Sequence, residues 1–394
     1  MATARAAEPV IDANSSVWEP CSIWTDFVGS RERALVEDAF WHERGARGSE
    51  LTVVNGRAVR SLNRSALNRF ACWRPGDTPE SIGARDPRAP GEDNPGAWDA
   101  AARLRDLDAL GIARQIVYPT LFAEHLPVVE SPRAAVVLAR AYNDWVGALA
   151  AAGAGRLVPA AVLPLQSIPG ALAEIERVAR AGFRAAMLRP SFVQGRFLNH
   201  SEYAPVWAAL AETGLVACVY PSAGSTNPEF TSAGPFVERV AQHLGIGHDV
   251  AASVGPLQDC MTTVLTLAYY GHLEQYPALK LCMAGAGASW LPLAVEKAET
   301  YLWLFPAGPI PVSLEPEELW LAAGRGVAFD AWEESIGHLS DLFAEVALFG
   351  SRYPRHDAAS PAEARAMLER TGVPAERAQH FMAGNAARLF ALPN

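Results

Sequence analysis

Apolar residues in this chain gather into short unbroken runs, and the runs alternate with stretches where apolar positions return every three or four residues. The runs are PVIDA (9–13), RQIVYP (114–119), RLVPAAVLP (156–164), AAMLRP (185–190), LVACVYP (215–221), LKLCMAG (279–285), VAFDAW (327–332) and VALFGS (346–351). A strand with one wet face alternates apolar and polar residues, whereas an unbroken run suits a strand covered on both faces, as in a parallel sheet. WDAAARLRDLDALG, SPRAAVVLARAYNDWVGALAAAG, IPGALAEIERVARAG and SEYAPVWAALAETG carry the helical period, and each ends in Gly, the residue that most easily takes the left-handed turn after a helix. Eight strands alternating with helices predict one (β/α)8 barrel, a TIM barrel, over residues 1–394. A doubly wound sheet is the alternative, but the Gly-rich turn it normally carries after its first strand is missing.

Residues 21–97 are too long for a plain connection. They contain LTVVNGRAV, where Asn55-Gly56 between β-rich flanks signals a hairpin, and RPGDTPESIGARDPRAPGEDNPG, a Pro/Gly-rich loop. An insertion after the first strand falls on the carboxyl-end face of a barrel, so this segment is expected to form a lid with a β-hairpin over the site.

Composition narrows the chemistry. Half of the 394 residues are hydrophobic, ample for a large core, and 33 basic against 43 acidic residues give a net charge of −10 with no basic patch for nucleic acid. No apolar run is long enough to cross a membrane, and the N-terminus lacks the apolar stretch of a signal peptide. Five scattered cysteines without a CxxC pair suit reduced thiols, hence a cytoplasmic protein, with Cys218 and Cys282 as small core residues. The only lysines, Lys280 and Lys297, lie away from strand carboxyl ends, which argues against Schiff-base chemistry.

Several motifs then point one way together. RLRDLDALGIARQIVYPT, ARAYNDWVGALAA, LVPAAVLPLQ, FRAAMLRP, GHLEQYPALKL, GASWLP, LFGSRYPRHD and GNAARLFAL, spread over most of the chain, resemble the landmarks of the amidohydrolase-related family that includes aminocarboxymuconate-semialdehyde decarboxylase. The resemblance implies a TIM barrel, a homodimer, and metal-dependent decarboxylase or hydrolase chemistry. In that family the first strand usually ends in a pattern such as D-x-D-x-H-x-x-E or H-x-H. The fifth strand supplies a His, the sixth often a Glu or His, and the eighth an Asp within a GSDYPH-like motif. Here Asn14 and Ser16 stand at the first position, Tyr220 (or Ser222, within a residue or two) at the fifth, Gly285 at the sixth, and Arg352 and Arg355 in GSRYPRHD at the eighth. Glu19 alone remains from the strand 1 pattern. A transition metal needs three or four converging donors, so the resemblance predicts a vacated metal site and no cofactor.

Each candidate has a chemical and a plain structural reading. Glu19 can serve as general acid or base, or be a carboxylate paired with Arg352. Arg352 and Arg355 can clamp a carboxylate or an oxyanion, or tie loops together. His356 is the best-placed imidazole for a proton shuttle, His125 lies on the same face, and Tyr220 can offer a phenol. His243 and His248, five apart, do not share a helix face and read as loop residues. Arg189 can meet an anionic substrate, and Trp18, Trp24 and Trp332 can line an apolar pocket or belong to the core. GAGAS (285–289) reads as tight strand-to-helix packing, since it lacks the other glycines and the Lys of a phosphate loop. The leading expectation is a metal-independent enzyme of acid–base lyase, cyclase or hydrolase type, acting on an apolar, carboxylate-bearing small molecule of specialised metabolism. A non-catalytic binding or partner barrel, and a metal enzyme with relocated ligands, are the alternatives. With the metal site vacated, Arg352 is expected to contact Glu19 directly or through water; an open pocket with Glu19 facing His356 or Tyr220 would favour the enzyme, and a filled pocket with Arg352 locked onto Glu19 the non-catalytic barrel.

Overall fold

The computed structural model describes residues 8–44, 50–59, 73–83, 94–221, 249–305, 312, 315–355 and 357–393. Eight parallel strands form the barrel: β1 (Val10–Ser16), β5 (Ile112–Tyr118), β6 (Leu157–Val162), β7 (Ala185–Leu188), β8 (Val216–Val219), β9 (Leu281–Met283), β10 (Arg325–Phe329) and β11 (Ala347–Phe349). They neighbour one another in that order, with helices between them, as the alternation of apolar runs and helical periods predicts. Their side chains are almost all buried, which explains why the runs are unbroken. Phe329 and Phe349 face outward, with ring centroids 6.2 Å apart, and Phe329 meets Phe381 of the C-terminal helical segment at 6.2 Å. Residues 328 and 330 therefore face the barrel interior, because neighbours along a strand alternate.

No ladder of strand pairing joins β11 back to β1 among the described residues; the seam is stitched by single bonds. Arg352 N donates to Asn14 O at 2.7 Å, and Ser16 N donates to Tyr353 O at 2.7 Å. Below them the fully buried Asp12 carboxylate accepts from Ser351 N (2.9 Å), Ser351 Oγ (2.5 Å), Gln115 Nε2 (2.8 Å) and Asn14 N (3.0 Å). The serine hydroxyl accepts in turn from Tyr353 N at 3.0 Å. One carboxylate thus joins the first, second and last strands of the barrel. Burial nevertheless pushes its pKa up, its hydrogen bonds opposing the shift.

The described part of 21–97 holds a three-stranded antiparallel sheet: β2 (Phe40–Arg44), β3 (Glu50–Val54) and β4 (Arg57–Val59). The hairpin falls at Asn55-Gly56, both at positive φ (50° and 70°), as a two-residue turn of this type needs. The additional strand, β2, was not anticipated, since FWHER has neither a turn signal nor a clear alternation. This segment packs against loops that leave carboxyl ends of barrel strands. Asn55 Nδ2 donates to Val128 O (2.8 Å), Trp73 N donates to Pro354 O (2.9 Å), and Trp24 packs against Phe40 and Phe122. Among the described residues no helix is long and apolar enough to cross a membrane.

Asp12→Ala leaves the Gln115 amide and both Ser351 donors facing an apolar gap, at a cost of about 3 kcal/mol or more. Urea unfolding should show a lower midpoint at unchanged slope. A midpoint within error of the parent would contradict the role assigned to this carboxylate.

Candidate active site at the barrel mouth

The carboxyl ends of β1, β10 and β11 set the site. A Cβ placed on Gly350 would lie 2.7 Å from Asn14 Cβ and 3.4 Å from Ala328 Cβ, so Asn14 points inward and occupies the space a side chain at 350 would take. Two residues farther along each chain come Ser16, Arg352 and Asp330 at the mouth. Asn14 and Ser16 are completely buried, yet among the described residues Asn14 Oδ1, Asn14 Nδ2 and Ser16 Oγ have no hydrogen-bond partner. Each such atom costs about 1–3 kcal/mol relative to a satisfied one, and Tyr118 OH, Asp330 Oδ1 and Arg352 Nε nearby are likewise without a partner among the described residues.

Arg352 sits beside them at φ 60°, a left-handed turn rare for a residue with a side chain. Its Nη1 lies 3.1 Å from Asp330 Oδ2 and its Nη2 lies 2.6 Å from Asp357 Oδ2. Asp357 also lies 3.4 Å from Arg355 Nε. Arg352 accordingly holds its proton more tightly than a free arginine, burial opposing the two carboxylates. Asp330 also holds its proton to higher pH. Burial, with Glu333 and Asp357 nearby, outweighs the attraction of Arg352 and raises its pKa to about 6. Asp330 Oδ1 has no partner among the described residues.

Asp330 is held from behind by Glu333. The Glu333 carboxylate accepts from Asp330 N (2.8 Å), Ala288 N (2.9 and 3.0 Å), Ser289 N (2.9 Å) and the Ser289 hydroxyl. It fills the anion-binding turn of GAGAS, and Gly287 makes room, since a Cβ there would come within 2.6 Å of Glu333 Oε1. The helix Leu291–Leu304 begins just beyond and favours the negative charge. GAGAS is therefore a tight strand-to-helix turn, as expected, and the chain's own carboxylate takes its donors.

The opposite side of the mouth is aromatic. Tyr220, just past β8, lays its ring against Gly285, where a Cβ would come within 2.8 Å of it. Its ring centroid lies 5.0 Å from that of Tyr118 at the end of β5. Arg189 is buried and donates from Nη1 to Tyr220 O (2.9 Å) and Pro221 O (3.0 Å). It borders a narrow crevice with Leu126, Gln166, Met187 and Val193.

Several expected placements differ. Arg352 does not pair with Glu19. Val17 N donates to Tyr118 O (2.9 Å), so the chain leaving β1 follows β5 and carries Glu19 to Thr120, whose N and hydroxyl lie 2.8 and 2.9 Å from its carboxylate. Trp24 is core, 1% exposed, and Trp332 is 54% exposed, so neither lines an enclosed pocket; Trp18 is half-buried. His125 is buried, with its ring centroid 6.2 Å from that of Phe40. Arg355 ties to Asp357, the structural reading. Ser222, His243, His248 and His356 lie outside the described residues. Asp330 and Glu333 were missed; the signal was available in VAFDAWEES, a strand run that closes on acids at the carboxyl-end face. Among the described residues no three His, Cys, Asp or Glu side chains are grouped to hold a metal ion.

The profile of the Amidohydrolase family matches residues 21–392, beginning just past the strand that carries Asn14 and Ser16. A 6-methylsalicylic acid decarboxylase of Penicillium expansum is 29% identical over 202 residues, 49% of this chain and 55% of that protein. The aligned part thus spans about half the length of this curated relative. An amidohydrolase from Mycobacterium avium subsp. paratuberculosis K-10 shares the fold with TM-score 0.76 at 19% identity, over 98% of this chain and all of that one. A dihydroxybenzoic acid decarboxylase from Polaromonas sp. JS666, solved with manganese and the inhibitor 2-nitroresorcinol, superposes with TM-score 0.63 at 17% identity, over 98% and 97%.

Arg352→Met removes the countercharge of Asp330 and Asp357 and should cost about 3 kcal/mol at pH 7. The sign with pH follows from Asp330, whose pKa in the folded chain is raised to about 6, above its ordinary value. Its contribution to stability is fully present below the unfolded pKa and is lost as pH rises through about 6. Without Arg352 that pKa rises further, so the deficit of the variant should shrink as Asp330 is protonated. Thermal melts from pH 7.5 to 5 check this; a deficit that stays constant or widens towards pH 5 would contradict it.

Proposed function

This chain belongs to the Amidohydrolase family, and from that premise we propose that it is a lyase that decarboxylates an aromatic carboxylate, with the positive charge at its barrel mouth supplied by Arg352 rather than by a metal ion. The observation that carries the reading is the grouping of buried Asn14 and Ser16, their side-chain atoms without partners among the described residues, beside Arg352. An amide offers a donor and an acceptor, and a hydroxyl offers both, so the pair suits the hydroxyl and carboxylate of a hydroxybenzoate-like molecule. The rings of Tyr118 and Tyr220 give apolar surface for the arene. The named decarboxylases among the relatives support the substrate class.

The manganese of the Polaromonas enzyme raises the question of a metal here. The described mouth residues do not fit one. Asn14, Ser16, Tyr220 and Gly285 offer no anionic donor, and the fixed charge of Arg352 repels a cation. Asp330 and Asp357, the nearest carboxylates, are engaged by that guanidinium. A second reading, a barrel that binds such a molecule without converting it, is favoured by the same engagement, because Arg352 is already neutralised.

The test is CO2 release from 6-methylsalicylate, 2,6-dihydroxybenzoate and 5-carboxyvanillate, the substrates named for relatives, in the presence of a chelator. Turnover that survives chelation is the expected result. Binding without turnover of any of the three would favour the non-catalytic barrel. Activity lost on chelation and restored by manganese would overturn the metal-free reading.

A further inference from the structure

Below the mouth, three sulfur side chains share one level of the barrel interior. Gly326 lies two residues before the inward-facing Ala328 and so faces inward too. Cys282 on β9 is paired in register with Gly326, Cys218 on β8 with Cys282, and Met187 on β7 with Cys218. Residues paired in register on parallel neighbours share a face, so the two thiols and the thioether all point into the barrel. Cys218 and Cys282 are completely buried and free, and Cys218 Sγ donates to Val216 O at 3.5 Å. From across the barrel, Tyr118 brings its hydroxyl beside both thiols. That hydroxyl is buried and has no hydrogen-bond partner of ordinary geometry among the described residues.

We propose that Cys218, Cys282 and Met187 form a binding site for a soft monovalent metal ion, copper(I), inside the barrel, separate from the mouth and independent of the lyase reading. Soft thiolate and thioether donors select copper(I) over harder ions such as manganese. Two thiols and one thioether are too few for the four-donor tetrahedral site of structural zinc. The spacing favours an ion over a disulfide. Parallel strands lie about 4.8 Å apart and hold their paired Cβ atoms at about that separation, beyond the roughly 3.5–4.5 Å that a disulfide needs. Metal–sulfur bonds of about 2.3 Å, as in zinc thiolates, instead bridge sulfurs about 4.0 Å apart in a trigonal site and about 4.6 Å apart in a linear one.

Charge gives the phenol its part. When copper(I) binds, a Cu–S bond forms to each cysteine, both S–H bonds break, and two protons leave for solvent, so no oxidant or reductant is needed. One positive ion and two thiolates leave one negative charge in a low-dielectric interior, where it needs a donor. The Tyr118 phenol keeps its proton at neutral pH and stands beside both sulfurs, placed to donate to a thiolate. An entry route lies beside the third ligand: the narrow crevice bordered by Leu126, Val162 and Arg189 reaches Met187.

The experiment adds copper(I) anaerobically as its acetonitrile complex and then challenges the protein with the copper(I) chelator bathocuproine disulfonate. The parent should retain about one equivalent per chain. Cys21→Ser, which removes a thiol beyond the end of β1, should retain as much. Cys218→Ala combined with Cys282→Ala, checked for folding by circular dichroism, should lose it. X-ray absorption at the copper edge should show an all-sulfur shell, and Met187→Leu, which conserves volume, should remove one sulfur from it. That shell decides alone should the double variant not fold. A parent that surrenders all its copper, a folded double variant that keeps it, or a sulfur shell unchanged in Met187→Leu would overturn the site. So would a Cys218–Cys282 disulfide found by mass spectrometry in protein purified in air.

Discussion

The buried carboxylate of Asp12 is the constraint on which the mouth of this barrel depends. A parallel barrel must close its last strand on its first, and here no strand ladder does so among the described residues. Asp12 gathers donors from Ser351 and Gln115, and two backbone bonds complete the seam just above it. Arg103 reinforces it from outside. Fully buried in a helix, its guanidinium donates to Gln115 Oε1 (2.8 Å), Ser16 O (2.8 Å) and Ser15 Oγ (3.0 Å), and it lies 4.8 Å from the centre of the Tyr353 ring. The phenol of Tyr353 is held in turn by Asn94 and Asp106. The tip of β1 and the turn after β11 are thereby locked together, which is what brings Asn14, Ser16 and Arg352 to one place.

Charge at that place follows a simple logic. A guanidinium at the end of the last strand cannot stand alone in a low-dielectric mouth, and two carboxylates attend it. At Asp330, the more buried of the pair, burial outweighs the guanidinium, with Glu333 and Asp357 adding to it, and the carboxyl holds its proton to higher pH. A buried guanidinium and a carboxyl of raised pKa therefore lie side by side at the mouth.

The barrel was legible because burial on both faces leaves a mark in sequence: eight unbroken apolar runs became eight strands, and Asn55-Gly56 marked its hairpin. The chain's membership of its family was legible too, from motifs spread along it. The site was legible by position more than by partnership. Arg352 was found at the strand end, but Glu19 was given to it as a partner when the chain beyond β1 turns towards β5 and delivers that carboxylate to Thr120. Sequence order says which residues reach a rim and not towards which neighbour they turn. Asp330 was hidden for a related reason: it closes an apolar run and reads as a strand terminus until Arg352 is seen across from it. Arg103 sat in a helix of ordinary amphipathic pattern, where an arginine is expected to face water.

The central claim is that Arg352, and not a metal ion, supplies the positive charge at this mouth. The most direct measurement is a crystal structure of the protein grown with manganese, with diffraction collected on both sides of the manganese absorption edge. The account predicts the Arg352 guanidinium between Asp330 and Asp357 and no anomalous peak within bonding distance of either carboxylate. A manganese peak at those carboxylates, with Arg352 swung away from them, would contradict it.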